Sequence, residues 1–232
     1  MQEISGLIHE RLSARGPFDP DRPISKLNLE RILEAGNWAP TAHNMQNFEF
    51  LVVDDPKIID TLGKLKNPIS IDFIKENYQQ LSFSEAELRQ KKSGILATRF
   101  PAAWINPEAW EDLTATQTSL PTSPLMVFML YDPSRRAPAS EGDFLGVISL
   151  GNVTQNMWLM ASSLGIGFHI VSSFGDGPIE KEVKQILGIP DSLDIVYAIR
   201  LGYPLSDTGY LRVRREVNDF THHNRYDKKG LA

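Results

Sequence analysis

Hydrophobic and polar positions along this chain follow two rhythms, and the switches between them mark its elements. Ile4, Leu7, Ile8 and Leu12 recur at helical spacing, which predicts a helix over 3–14 that Gly16-Pro17 breaks. Leu29, Ile32, Leu33 and Gly36 repeat that spacing behind Ser25, a residue type that caps helix N-termini. Phe48 to Val53 reads as a strand, first alternating and then wholly apolar, stopped by Asp54-Asp55-Pro56. A short helix over 57–64 follows. Further strands are predicted at 125–131, 168–173 and 194–201. Pro178 starts a helix that turns Ile179, Val183, Ile186 and Leu187 inward until Gly188. From Asp143 to about Leu164 the periodicity is lost, because apolar residues from Phe144 to Met160 point in nearly every direction. A helix of that kind is expected to be buried on all sides, as a central helix or at a dimer interface.

The stretch 67–121 is the least regular. It carries charged helical patterns around Asp72–Gln80 and Ser84–Lys92, with Ser84 and Glu87 spaced as a capping box. Phe100, Trp104 and Trp110 follow among prolines and would either form a lid or, as the commoner use, anchor the excursion to the core. The order of elements predicts one α+β domain over 1–232, with a small sheet covered by helices and a tail over 205–232.

Composition narrows the chemistry. The 232 residues are long enough for a substantial core, and the net charge of −5 argues against nucleic acid as the main partner. With no cysteine there is no disulfide, thiolate catalysis or iron–sulfur centre, which is compatible with a cytoplasmic location. The N-terminus shows neither a signal peptide nor a membrane span. His9, His43, His169, His222 and His223 are scattered except for the last pair, so no metal site is expected. No Gly-x-Ser-x-Gly elbow, Walker loop or His-Glu-x-x-His helix is present, and nothing advertises a nucleophile.

What remains is equipment for holding a ligand. Arg11, Ser13 and Arg15 alternate at the end of the first helix. If the chain is extended there, two guanidinium groups flank a hydroxyl and suit a phosphate, with charge-assisted bonds worth roughly 1.5–3 kcal/mol each. If the helix continues, Ser13 points away and the arginines complement the helix dipole. Between the second helix and the first strand, Pro40, Thr41, Asn44 and Gln46 crowd a short turn with hydroxyl and amide groups. They suit either a planar polar ligand or ordinary capping. Ser172 to Gly177 is a small-residue loop after a strand, Arg135-Arg136 sits in a polar loop expected to be solvated, and the tail holds Arg212, Arg214 and Arg215. A chain that holds well but lacks a reactive side chain fits an enzyme whose cofactor carries the chemistry.

These residues together resemble the FMN-dependent nitroreductase family over most of the chain. The likeness rests on Arg11-x-Ser13-x-Arg15, the Ala-Pro-Thr-x-x-Asn-x-Gln pattern through Gln46, and Gln155-Asn-Met-Trp-Leu-Met-Ala161 leading to Gly167. Leu201-Gly-Tyr-Pro204, Arg214-Arg215 and Asn224-Arg-Tyr226 complete it. The resemblance implies an α+β nitroreductase-like fold with a mostly antiparallel sheet, forming an intertwined homodimer with two FMN sites at the interface. Arg11, Leu12, Ser13 and Arg15 would take the phosphate and ribityl end, joined by Arg212 or Arg214. Pro40, Thr41 and Ala42 would come from the partner subunit, with Asn44 and Gln46 also holding the flavin. Ile170, Val171, Ser172 and Ser173 would pass near the reactive edge of the ring. The family's activity is a ping-pong transfer of hydride from NADPH or NADH, through FMN, to nitroaromatic, quinone or similar acceptors. A specialised flavin chemistry and a non-catalytic flavin-binding module are the alternatives. Asn47 stands where proline is common in the family, and 67–121 would shape the acceptor pocket.

Overall fold

Every residue from Leu125 to Tyr131 is buried. Successive side chains of a strand point to opposite faces, so this one strand requires cover on both sides. A computed structural model of the chain, which describes residues 3–67, 69–111, 118–138, 143–206 and 211–231, supplies that cover. The chain divides into two compact units, Met1–Asn67 with Ser119–Thr208 and Pro68–Thr118 with Gly209–Ala232. Parts of the predicted excursion (68 and 112–117) and tail (207–210 and 232) lie outside the described residues, as do 139–142.

The first unit contains helices α1 (Ile4–Glu10), α2 (Lys26–Asn37), α3 (Pro56–Lys64), α4 (Phe144–Ser163) and α5 (Gly177–Leu187). Its strands are β1 (Phe48–Val53), β2 (Leu125–Tyr131), β3 (Gly167–Val171) and β4 (Asp194–Gly202), in the order β1-β2-β4-β3 with every pair antiparallel. Val127, Met129, Ile199 and Leu201 face α2 and α4, packing on Ile32, Val153, Met157 and Ala161. Met126, Phe128, Leu130 and Ala198 face the other way, toward Leu62 of α3, Ile179 and Val183 of α5, and Phe174. Each fully buried side chain of this size contributes about 1.5–3 kcal/mol. The caps follow from composition: Ser25 accepts from the Asn28 amide at 3.2 Å, and Asp55 accepts from Lys57 at 2.7 Å. No helix among the described residues is long and apolar enough to cross a membrane.

Two boundaries differ from the sequence expectations, and the long helix is only partly covered within the single chain. The first helix stops at Glu10, because Arg11 turns to extended geometry with ψ 126°. The third strand ends at Val171, and Ser172–Gly175 forms a 3-10 turn that drives Phe174 into the core. Gly175 permits this, since a Cβ there would lie 2.3 Å from the Ile195 carbonyl oxygen. The long helix is not buried all round. Its first turns leave Phe144 68%, Val147 63% and Ile148 45% exposed, since the sheet and α2 cover only one side. Asp143 precedes it in a left-handed conformation and makes no side-chain cap.

In the second unit Ile69, Ile74 and Trp110 form a small buried cluster with Trp104 and Tyr78 against it. The Trp110 indole donates to the Trp104 carbonyl at 3.0 Å, and Phe100 stacks on Trp104 at 5.4 Å. These aromatics anchor their own unit. The capping box of Ser84 and Glu87 is formed, and the predicted helix at 72–80 becomes Ile71–Lys75 followed by a π-helical turn over Glu76–Gln80.

Phe18 holds the chain that follows the first helix onto the sheet. It sits beside the cross-strand pair Gly167 and Gly202, and Asp19 donates its amide to the Tyr203 carbonyl at 2.8 Å. A Cβ on Gly202 would stand 2.6 Å from Phe18 Cβ and Cγ, too close for that ring to stay. Gly202→Ala is therefore expected to destabilise the protein by about 1–3 kcal/mol in urea unfolding, as overpacked cores do. An unchanged midpoint would show that Phe18 is free to move aside.

Candidate functional site

Once α1 has ended, Arg11–Arg15 runs as an extra edge to the sheet. Ser13 bridges Phe168 in parallel, and the Ala14 amide donates to the Phe168 carbonyl at 3.0 Å. Of the two geometries open to this segment, the extended one is adopted. Leu12 and Ala14 line a cleft of about 460 Å³ of mixed character with Leu7, Glu10, Ser162 and Ile166, and Arg11, Ser13 and Arg15 occupy the intervening positions. The Arg11 guanidinium lies 4.2 Å above the Trp158 ring, whose indole donates to the Leu12 carbonyl at 3.1 Å. Trp158 in turn stacks on Phe168 at 4.9 Å. The run is thus fixed through its backbone and one aromatic platform.

The edge register continues the site along β3. In an antiparallel ladder each residue turns its N–H and C=O to the same side. The Phe168 carbonyl faces outward to Ala14, so Ile170 presents its own backbone groups on that open edge two residues on. Val171 faces the core, about 10 Å along the strand from Phe168 at roughly 3.3 Å per residue, and Ser172 and Ser173 lie in the 3-10 turn beyond it.

The Pro40–Gln46 turn is built differently. His43, Asn44 and Gln46 have φ of 52°, 54° and 47°, the left-handed region that non-glycine residues rarely enter. Such strain persists only where surrounding contacts enforce it, and it gathers at ligand sites. The enforcing contacts are visible. Thr41 Oγ1 accepts from the Gln46 amide at 3.1 Å, Ser149 Oγ from the Ala42 amide at 3.0 Å, and Asn152 donates to the Pro40 carbonyl at 3.0 Å. The Thr41 hydroxyl therefore acts as a turn cap, whereas the Asn44 side chain is exposed.

Both segments hang on α4, the turn at Ser149 and the arginine run at Trp158. Nine residues at 1.5 Å each separate these anchors by about 14 Å, and nine steps of 100° put them on opposite sides of the helix. One chain does not bring the turn and the arginine run together. The tail arginines belong to the second unit, where Arg212 and Arg214 are exposed, half-buried Leu211 and Val213 alternate with them, and Arg215 lies 5.1 Å over Phe220.

Two functional-looking arginines escaped the sequence reading. Arg135 is exposed, as expected, and also donates from Nη1 to the Gln46 carbonyl at 3.1 Å and pairs with Asp132 at 3.3 Å, so it braces the strained turn. Asp132 is itself held below the ordinary carboxylate range, chiefly by the Ser134 hydroxyl. Arg200 is 7% exposed within β4 and bonds Nη1 to His169 Nδ1 at 3.1 Å. Burial, with the charges of Arg200 and Arg15 behind it, pushes His169 down to about 4. An arginine inside the apolar run Ile195–Leu201 was the available signal for the second; the first had none, because its partner is a backbone carbonyl far away in sequence.

Arg135→Ala is expected to speed amide exchange at Asn44–Gln46 and to cost about 1 kcal/mol of stability, the bond being half-exposed. Unchanged exchange there would remove Arg135 from the turn's support. For His169 the sign is fixed by the depressed value: folded His169 takes its proton only near pH 4, the unfolded chain near 6.5. Between these the unfolded state binds more protons, so stability falls on acidification through that window, by at most about 3 kcal/mol. His169→Asn should flatten that part of the stability–pH curve; an identical slope would show that His169 is not its source.

Against known proteins, the Nitroreductase family model matches residues 8–203. An NADPH-dependent oxidoreductase of Staphylococcus saprophyticus is 25% identical over 206 residues, covering 88% of this chain and 67% of that protein. A solved nitroreductase with bound FMN from Bacteroides fragilis aligns with a TM-score of 0.58 at 19% identity, over 97% of this chain and 100% of that one. A nitroreductase with bound FMN from Desulfitobacterium hafniense gives 0.58 and 19%, over 96% and 99%. The structural likeness confirms the α+β architecture read from the sequence, and with the family match spanning most of its length, this chain belongs to the nitroreductase family.

Proposed function

We propose that the protein is an FMN-dependent oxidoreductase that takes hydride from NADPH or NADH and reduces nitroaromatic, quinone or similar electron-poor acceptors. It would act as a homodimer with FMN between the subunits. The observation that carries this reading is the split of the ligand-holding parts along α4. The helix residues that anchor the arginine run and the strained turn stand about 14 Å apart along one helix and on opposite sides of it. The apolar stripe of Phe144, Val147 and Ile148 is left uncovered beside the turn's end of that helix. A second copy laid on that stripe would cover it and bring its own turn to the first copy's arginine run.

The residues present fit the cofactor. Arg11, Ser13 and Arg15 offer guanidinium forks and a hydroxyl, the donor set that a phosphate dianion requires. Ile170 offers an edge amide farther along the same strand, with Ser172 and Ser173 beyond it. From the partner, Pro40, Thr41, Ala42, Asn44 and Gln46 would pack on the ring and keep water from it, held in their strained shape by Ser149, Asn152 and Arg135. When bound, FMN supplies the hydride acceptance and donation in two half-reactions. The chain's own part is to bind, orient and shield, which is why no nucleophile or general acid is required of it. The related proteins that carry FMN or are named NADPH-dependent oxidoreductases support this assignment. A cytoplasmic location belongs to the same proposal.

Purified protein should be yellow, or become so after incubation with FMN and gel filtration, and anaerobic NADPH or NADH should bleach the flavin band. Colourless protein after that treatment sinks the reading, and a yellow protein that neither donor bleaches would be a binding module. Arg15→Ala should weaken FMN retention roughly tenfold or more, the loss of one charge-assisted bond. Sedimentation should give a dimer, and a monomer that still binds FMN would overturn the shared site.

A further inference from the structure

Arg200 sits where an apolar residue would be expected. Its neighbours in β4, Ile199 and Leu201, are wholly buried, and it is itself 7% exposed. Among the described residues no carboxylate pairs with it. Burying a guanidinium is unfavourable unless its donors are used, and among the described residues its bonds go to neutral acceptors. Nε donates to the Thr122 carbonyl at 2.7 Å, Nη2 to the Gly16 carbonyl at 3.3 Å and Nη1 to His169 Nδ1 at 3.1 Å. The Phe18 ring lies 5.0 Å from the guanidinium carbon. The sheet needs none of this, since the ladder on either side of Arg200 is complete without its side chain.

One of these bonds, to Gly16, and the contact with the Phe18 ring lie just past the arginine run. Gly16 follows directly on the Arg11–Arg15 run, and Phe18 is the next anchor after it. Other ties hold the run and the chain just after it, among them the Ala14–Phe168 bond, the Trp158 indole at Leu12, Phe18 and the Asp19–Tyr203 bond. Three acceptors lie in three directions from one planar group, which a guanidinium fork satisfies and a single ammonium does not. His169 Nδ1 accepts only while the ring is neutral, with its proton on Nε2. Its depressed basicity, from burial and from Arg200 and Arg15, keeps it so.

We infer that Arg200 is a positioning residue for the cofactor phosphate: it clamps the Gly16 carbonyl to β4, and so fixes Ser13 and Arg15 at the edge of β3, with the Thr122 carbonyl and His169 as its other acceptors. The inference rests on the FMN reading above. Arg200 touches no reacting atom and acts through the run that it holds.

The test compares wild-type protein with Arg200→Met, Arg200→Lys and Arg15→Ala. FMN affinity is measured by fluorescence titration of flavin-free protein, amide exchange at Ala14–Gly16 in that same protein, and thermal unfolding alongside. Arg200→Met should raise the FMN Kd at least tenfold and speed exchange at Ala14–Gly16 by a similar factor. The unfolding midpoint should stay level or rise, because a buried charge is replaced by an apolar side chain of similar length. Arg200→Lys keeps the charge and loses the fork, and should behave like Arg200→Met in affinity and exchange. An FMN Kd within twofold of wild type in both variants overturns the clamp. So does a loss of affinity matched by faster exchange throughout β2 and β4, which would mark a general loss of stability. Should Arg15→Ala lose FMN while the Arg200 variants keep it, the cofactor reading stands and this inference alone falls. Should wild-type protein take up no FMN, the cofactor reading falls, and exchange at Ala14–Gly16 still decides whether Arg200 fixes the run.

Discussion

The constraint on which the rest of the structure depends is the burial of β2 on both faces. Seven apolar or aromatic residues in a row leave a strand no wet side, so helices have to lie above and below it. α2 and α4 cover one face, and α3 and α5 the other. With the centre of the sheet sealed in this way, polar chemistry is displaced to its margins. The outer edge of β3 is one such margin, and the connection before β1 is another. Both candidate ligand-holding segments are found there.

The two margins are made rigid by different means. At the edge of β3, a single parallel bridge, the Trp158 platform and the Phe18 anchor hold an otherwise extended chain in place. Before β1, three left-handed residues are held by hydroxyl and amide groups of α4 and by Arg135. A strained turn that is braced from outside itself is preorganised, so a ligand meeting it spends little on ordering it. α4 supports both segments and leaves the face beside one of them apolar and uncovered. The proposed cofactor site between two copies of the chain rests on that combination.

Much of the framework was legible from local pattern. The β1 and β2 strands appear where alternation or continuous apolarity predicts them, Ser25 and Ser84 cap the helices that they precede, and Gly188 closes α5 in a left-handed conformation. These features depend on neighbours a few residues away, so the sequence carries them directly. No single motif was decisive, but five in order, from Arg11-x-Ser13-x-Arg15 to Asn224-Arg-Tyr226, together indicated the family. Other features were not legible. Helical spacing through Leu12 suggested a helix to residue 14, and the pull of the β3 edge on Ser13 and Ala14 overrides it. Ser173 was read as strand, but burial of Phe174 curls the chain first.

By itself the sequence determined the element types, the apolar faces, the caps and the list of groups able to hold a phosphate and a flat ring. These are set by side-chain period and short-range hydrogen bonding, which the order of residues states outright. Only the tertiary structure decided which of those groups share a place. Arg135 meets the Gln46 carbonyl across 89 residues, and Arg200 reaches Gly16 across 184. Backbone carbonyls carry no residue signature, so no reading of residue types could pair them. The same holds for the split along α4, because the distance between two anchors exists only after the helix has been laid on the sheet.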